Sequence, residues 1–346
     1  MKKSIAVIFG GEGAERQISE RSAATVIERL EASSSVMPIG ISDEGDWFLF
    51  EGDSSEISSG RWRKSPKLTP VYPSRLSGNS GFVTANGVIL NADLAFPVLH
   101  GDFGEDGVIQ GALSAAHIPY IGSDVTSSAL TADKAYTKII AEYLGIPTVP
   151  WFIPQSLDMK LARREAERRL GYPLFIKPRR LGSSIGAAPV YLRADFKPAW
   201  EAAMEASDGL LMIEALADVK LELELALFDG KTRFISHPGI VHSSGRFYDF
   251  HSKYDSESST KTEADGKLER KTVRKARSYA RQISDFLGLG NISRIDFFLS
   301  SSGEIYFNEI NSIPGMTDTS LYPPLAELYG GFPSFAEELA GFAKPQ

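Results

Sequence analysis

Residues 293–320, SRIDFFLSSSGEIYFNEINSIPGMTDTS, read as a β-hairpin followed by a tight turn. Two apolar runs, 294–299 and 304–310, flank Ser300-Ser301-Ser302-Gly303, a composition suited to a hairpin loop. Pairing Leu299 with Glu304 sets Arg294 opposite Glu309 and Asp296 opposite Phe307. Side chains alternate along a strand, and opposed residues share a face. Arg294, Asp296, Glu309 and Asn311 therefore converge on one face, while Ile295, Phe297 and Leu299 point into a core. Asp296 and Glu309 become diagonal neighbours, about 7–8 Å apart, a spacing that suits carboxylates sharing a hard divalent cation through oxygen ligands. A one-residue slip would scatter the set. One charge on a strand ordinarily marks a solvated face; four polar groups together, followed by Ile313-Pro314-Gly315, mark a site.

The 346 residues suffice for two or three domains. Hydrophobic content of 42% and charged content of 23% fit a soluble globular chain. The net charge of −7 argues against nonspecific nucleic-acid binding, which needs a basic footprint. With no cysteine, thiol nucleophiles, thiolate metal sites and disulfides are excluded. The apolar run near the N-terminus is shorter than the roughly 7–15 residues of a signal peptide's core. No stretch approaches the roughly 20 apolar residues of a membrane helix, so a cytoplasmic protein without membrane association is expected.

Along the chain, a buried strand at 5–9 runs into a glycine-rich turn, a helix over about 19–32 with Ser19 as its cap, and a strand at 36–41. This βαβ unit invites a dinucleotide reading, but Arg16 stands where the fingerprint needs its third glycine. Residues 51–81, rich in Ser, Gly and Pro, read as loop. A strand at 94–98 delivers His100 to a glycine-rich loop, the kind of place where α/β ligand sites gather; the other histidines lack metal-site spacing. A single helix is expected over 131–144, with Lys134 and Lys138 on one face. Lys177 precedes a Gly/Ser loop whose amides suit phosphate, although the Walker pattern is absent. Glu222 and Glu224 share a face of one strand. Residues 239–266, long and polar, read as a lid, ahead of an amphipathic helix over 267–287.

Taken together, GGEGAERQIS, LHGDFGEDGVIQG, the Lys134 helix, KPRRLGSSIG, FYDFHSKY, SRIDFF and NEINSIPGMT resemble the D-alanine–D-alanine ligases of the ATP-grasp superfamily, from Ile5 to about Leu321. The resemblance implies an α/β (α+β) chain with the three-domain ATP-grasp fold: an N-terminal α/β domain over 1–122, a central domain over 123–213, and a C-terminal domain over 214–346 with the lid at 239–266. It implies ATP between the last two domains, two magnesium ions (manganese being an alternative), and a cytoplasmic homodimer making D-alanyl-D-alanine for peptidoglycan precursors. Ligases that accept D-serine or D-lactate, and a catalytically silent nucleotide-binding relative, are the alternatives; the intact set of ionic residues speaks against the silent one.

Carried over residue by residue, the resemblance gives Lys134, Lys177 and the lid's Lys253 to the ATP phosphates. Glu214, Ala215 and Leu216 fall to the adenine, and Glu222 to the ribose. Asp296, Glu309 and Asn311 match metal ligands, and Arg294 with the Gly315 amide matches the oxyanion donors. Glu15 matches the group that binds the first substrate's ammonium, networked with Ser183 and Tyr254. Ser320 and Leu321 match binders of the second carboxylate, and His100 is assigned to substrate. The position of Tyr254 is typically histidine in D-lactate-using relatives. One departure is the absence of the family's Pro-Ala pair after that tyrosine, where this chain has Lys261-Thr262-Glu263-Ala264-Asp265-Gly266.

Overall fold

The computed structural model describes residues 2–13, 15–76, 78–230, 233–242, 261–317 and 319–328. Three sheets organise them. The first has seven strands in the order Ile89–Asn91, Asn79–Thr84, Leu68–Leu76, Trp47–Phe50, Ser35–Ile41, Ser4–Gly10, Leu94–Pro97. Ser4–Gly10 is parallel to both of its neighbours. Its continuous apolar run, Ile5 to Phe9, is buried throughout, as a parallel strand covered on both faces requires. Because Ser4–Gly10 and Leu94–Pro97 run the same way side by side, the chain after each emerges at the same edge. Glu15 and His100 reach the site from there.

The helix after the first strand spans Arg16–Leu30, with Glu15 rather than Ser19 at its N-cap. Ser19 instead lies inside the helix, fully buried; its Oγ accepts the Gly10 N–H and donates to the Val98 carbonyl, tying strand ends to helix. Residues 51–81 are also more ordered than composition suggests. They hold the helix Ser54–Ser58, a 3-10 turn Arg61–Lys64 and the strand Leu68–Leu76. Trp62 organises the segment: fully buried, it packs edge-on to Phe9 and donates its indole N–H to Glu20 at 2.7 Å.

The second sheet, antiparallel, has the order Ala188–Val190, Leu174–Pro178, Leu211–Ala215, Trp151–Phe152. The helices Met159–Arg169 and Phe196–Ser207 contribute Ala162, Ala166, Phe196, Ala199 and Trp200 to its core. Leu211–Ala215 extends two residues past 213, so Glu214 and Ala215 belong to this sheet.

The third sheet runs Lys261–Glu263, Gly239–His242, Leu221–Asp229, Ile292–Leu299, Ile305–Asn311, with Arg233–Ile235 paired to Leu221–Asp229. The helix Arg270–Leu287 packs on it through Ala276, Ala280, Ile283 and Leu287, a stripe at helical spacing. The two ends of the 239–266 segment thus pair as antiparallel strands, Gly239–His242 with Lys261–Glu263. Lys253 and Tyr254 lie outside the described residues.

The expected helix over 131–144 is two helices, Val125–Ala132 and Lys134–Tyr143. Asp133 breaks it. Its extended backbone and its carboxylate, which accepts the Ala135 N–H at 3.0 Å, cap the second helix. The same carboxylate receives both arms of Arg179, at 3.0 and 2.6 Å, joining the Lys134 helix to the end of the second sheet. Among the described residues no helix is long and apolar enough to cross a membrane.

Candidate active site

The opening hairpin differs from expectation by its register. Leu299 pairs with Ile305 and Phe297 with Phe307; then the register shifts, and Asp296 faces Glu309 and Arg294 faces Asn311. Asn308 is the extra residue of a β-bulge, which places consecutive side chains on one side of the ladder. Phe307 is therefore in the core, fully buried against Phe297. Asn308 and Glu309 both line the cleft. Asp296 and Glu309 are directly opposed, closer than the diagonal spacing expected.

Two adjoining clefts meet over this face. One is lined by Glu15, His100, Ser183, Arg294, Asn311, Gly315, Ser320 and Leu321. The other is lined by Lys177, Glu214, Ala215, Leu216 and Glu222. Lys134, Ser183 and Glu309 border both. Of the described residues that the resemblance assigns to substrate, nucleotide or metal, all border one cleft or the other except Asp296, which is buried and bonded to Arg294.

Charges in the clefts are paired. Arg294 meets Asp296 with two parallel hydrogen bonds, Nε to Oδ1 at 2.9 Å and Nη2 to Oδ2 at 2.7 Å, the forked geometry specific to arginine. Glu224, opposite Asp296 on the neighbouring strand, lies 3.4 Å from the same guanidinium. Burial works against this charge, but Asp296 and Glu224 outweigh it and hold Arg294 well above its ordinary pKa. Asn311 donates to Asp296 at 3.1 Å, and Lys134 pairs with Glu309 at 3.1 Å.

Asp296, Glu309 and Asn311 offer hard oxygen donors of the kind magnesium takes. Among the described residues no three carboxylates or imidazoles gather to hold a metal by themselves. Two carboxylates and an amide fit a cation that completes its shell with phosphate and water, the usual habit of magnesium at nucleotide sites.

Beneath the second cleft, Glu214 Oε1 lies 3.0 Å from Lys138 Nζ and 3.1 Å from Lys177 Nζ. Lys138, on the same helix face as Lys134, is fully buried, against the exposure usual for a helix lysine. Burial alone would raise the Glu214 pKa, but the two lysines outweigh it and hold it down. Burial depresses Lys177, with Glu214 offsetting part of the effect. Lys138→Met is expected to cost about 3 kcal/mol of stability, the low end for breaking a buried pair because Lys177 remains; urea unfolding measures it.

Glu15 projects from the helix N-terminus without capping it, and Ser183 Oγ donates to its carboxylate. Ser183 and Ser184 have left-handed φ angles of 50° and 59°, which turn the 182–186 loop back over Glu15. Glycine is required on both sides: a Cβ at Gly101 would stand 2.5 Å from Glu15 Oε2, and one at Gly182 would stand 2.9 Å from it.

Several residues escaped the sequence reading. Glu105 is deeply enclosed, accepts the Gly101 and Ile313 N–H groups, and is pushed up by burial to about 7. Burial pushes His100 down to about 4, so its ring is neutral at neutral pH. Ser22 sat unremarked in a helix, and Glu224 was noted only for sharing a strand face with Glu222. Only Asp133 carried a local signal, a capping residue directly before a helical run.

A profile described as "D-ala D-ala ligase N-terminus" matches residues 4–123, and one described as "D-ala D-ala ligase C-terminus" matches 140–338. A D-alanine–D-alanine ligase of Clostridium acetobutylicum is 33% identical, aligned over 94% of this chain and 93% of its own. One from Ruminiclostridium cellulolyticum is 36% identical, over 94% and 90%. Among solved structures, the VanG D-Ala:D-Ser ligase from Enterococcus faecalis superposes with a TM-score of 0.87 at 33% identity, covering 99% of this chain and 100% of that one. The D-alanine-D-alanine ligase from Coxiella burnetii gives 0.84 at 27%, covering 99% and 94%.

Proposed function

The chain belongs to the D-alanine–D-alanine ligase family, and from that premise we propose that it joins two D-alanine molecules, driven by ATP and a divalent metal, to supply peptidoglycan precursors. One observation carries the reading to this chain's own residues: the two clefts meet at Lys134, Ser183 and Glu309, so a phosphate from one cleft and a carboxylate from the other would meet there.

A carboxylate is a poor electrophile, so it first attacks the γ-phosphate of ATP and becomes an acyl phosphate. Transfer of this kind needs positioning and charge neutralisation more than covalent help. In this reading Lys134 and Lys177 hold phosphates, Ala215 and Leu216 with Glu214 hold adenine, and Glu222 holds ribose. Asp296, Glu309 and Asn311 would hold two magnesium ions, whose contribution is to neutralise the transferring phosphoryl group. Glu15 binds the first ammonium, with Ser183 orienting the carboxylate. The second amine then attacks the acyl carbon, Arg294 with the Gly315 amide stabilises the oxyanion, and its collapse breaks the C–O bond, releasing inorganic phosphate as the amine gives up a proton. Ser320 and Leu321 receive the second carboxylate, and Lys253 and Tyr254 keep the roles that the family resemblance gives them. A cytoplasmic homodimer belongs to the same proposal.

The test is ADP release that depends on D-alanine, together with the mass of the product. Competition between D-alanine and D-lactate at neutral pH is expected to yield dipeptide in large excess. A neutral tyrosine at 254 does not repel an ammonium, as a cationic imidazole there would. Predominant depsipeptide would overturn the acceptor while leaving the ligase chemistry standing.

A further inference from the structure

The 312–316 loop belongs to the third sheet's unit, yet three of its backbone groups are held by side chains from the N-terminal unit. Ile313 N–H donates to Glu105 Oε1 at 2.9 Å, and the Ile313 carbonyl lies 3.2 Å from His100 Nδ1. Met316 N–H donates to Ser22 Oγ at 3.3 Å. A carbonyl can only accept, so Nδ1 carries the proton of the neutral ring and Nε2 is left to accept. Ser22 Oγ stands 3.4 Å from that Nε2, so its hydroxyl donates to the histidine while accepting from Met316. Glu105 is fixed in turn at its other oxygen by the Gly101 N–H at 3.0 Å. The contacts close a ring around the loop, and Gly315 lies within the held span. Space there is tight: a Cβ on Gly315 would be 2.8 Å from Ser320 Oγ, which would have to turn away.

We propose that Ser22, His100 and Glu105 are positioning residues that clamp the 313–316 loop to the N-terminal unit and so fix the direction of the Gly315 amide. The inference rests on the reading of Gly315 as an oxyanion donor. Such a donor acts only when it is about 2.7–3.1 Å from the developing charge, and a displacement of about 1 Å costs on the order of 10²-fold in rate. The Gly315 amide keeps this alignment while the flanking Ile313 and Met316 groups are held. The ligase then has a requirement beyond substrate contacts, because the N-terminal unit must be docked for the C-terminal oxyanion site to be formed.

Glu105→Gln and Ser22→Ala in the full chain test this. Glutamine places an NH2 against one of the two N–H groups that the carboxylate now accepts. For Glu105→Gln kcat is expected to fall about 10²-fold, with a smaller fall for Ser22→Ala. Michaelis constants for ATP and D-alanine should stay within about twofold, the pattern of an interaction made in the transition state. Affinity for a phosphinate dipeptide, whose tetrahedral centre mimics the intermediate, should fall in step with kcat. Amide hydrogen exchange at Ile313, Gly315 and Met316 should accelerate in both variants. Unchanged exchange overturns the clamp whatever the reaction proves to be. Loss carried in the Michaelis constants, or an unchanged phosphinate affinity, overturns its role in positioning. Absence of dipeptide synthesis in the wild-type chain would instead remove the functional reading and leave the exchange result to decide the clamp.

Discussion

Glu309→Ala is expected to reduce D-alanine-dependent ADP release by about 10³-fold or more, because a metal-stabilised phosphoryl transfer draws several kcal/mol from that charge neutralisation. Glu309 borders both clefts, faces Asp296 across the ladder and holds Lys134 at 3.1 Å. Its removal takes an oxygen donor from the hard-cation set and leaves Lys134 without its carboxylate partner, held by the Leu181 carbonyl at 2.8 Å. The fold should survive, since this side chain faces the cleft while Phe307 and Ile310 hold the strand in the core. The measurement is turnover against magnesium concentration, with circular dichroism as the control for folding. Near-normal turnover at saturating magnesium would remove Glu309 from the metal set.

Arg294→Lys is the second large effect. Lysine keeps the charge but cannot reproduce two parallel bonds to Asp296 while directing further N–H groups into the cleft. Loss of an oxyanion donor costs about 2.7–4 kcal/mol, or roughly 10²–10³ in rate, and the loss should fall on kcat. Glu224 and Asp296 remain to hold the lysine's charge in place, so substrate binding should change little. A rise confined to the Michaelis constants would make Arg294 a ground-state binder.

Much of the site was legible because its chemistry is written in short stretches whose side chains need no long-range context. Lys177 lies at the end of a strand, Glu15 and Ser183 in the segments that follow strands, and strand ends are where α/β folds gather ligands. The hairpin was legible in the shared face of Arg294, Asp296, Glu309 and Asn311 and misread in its pairs, which wrongly set Phe307 on that face. Phe307-Asn308-Glu309-Ile310 sets two polar residues between two apolar ones, which strict alternation cannot accommodate. The turn residues alone could not reveal where the extra residue would be absorbed. Lys138 looked like an exposed helix lysine because nothing local announces that Glu214 lies beneath it. The Ser22, His100 and Glu105 contacts were out of reach for the same reason: their partners are 208–294 residues away in the chain. Trp62 and Glu20, 42 residues apart, likewise made order out of a segment that composition assigned to loop.

The bulge at Asn308 divides one strand between two obligations. On the turn side, Phe307 and Ile305 serve cohesion; beyond it, Glu309 and Asn311 face the clefts. A regular ladder could be sturdier, since a bulge leaves a residue unpaired and bends the strand. Excising Asn308 would preserve the pairs Phe297–Phe307, Asp296–Glu309 and Arg294–Asn311, and would remove only the kink and one side chain from the nucleotide cleft. The irregularity is one that pairing does not need, set at a spot where stability and activity can pull against each other.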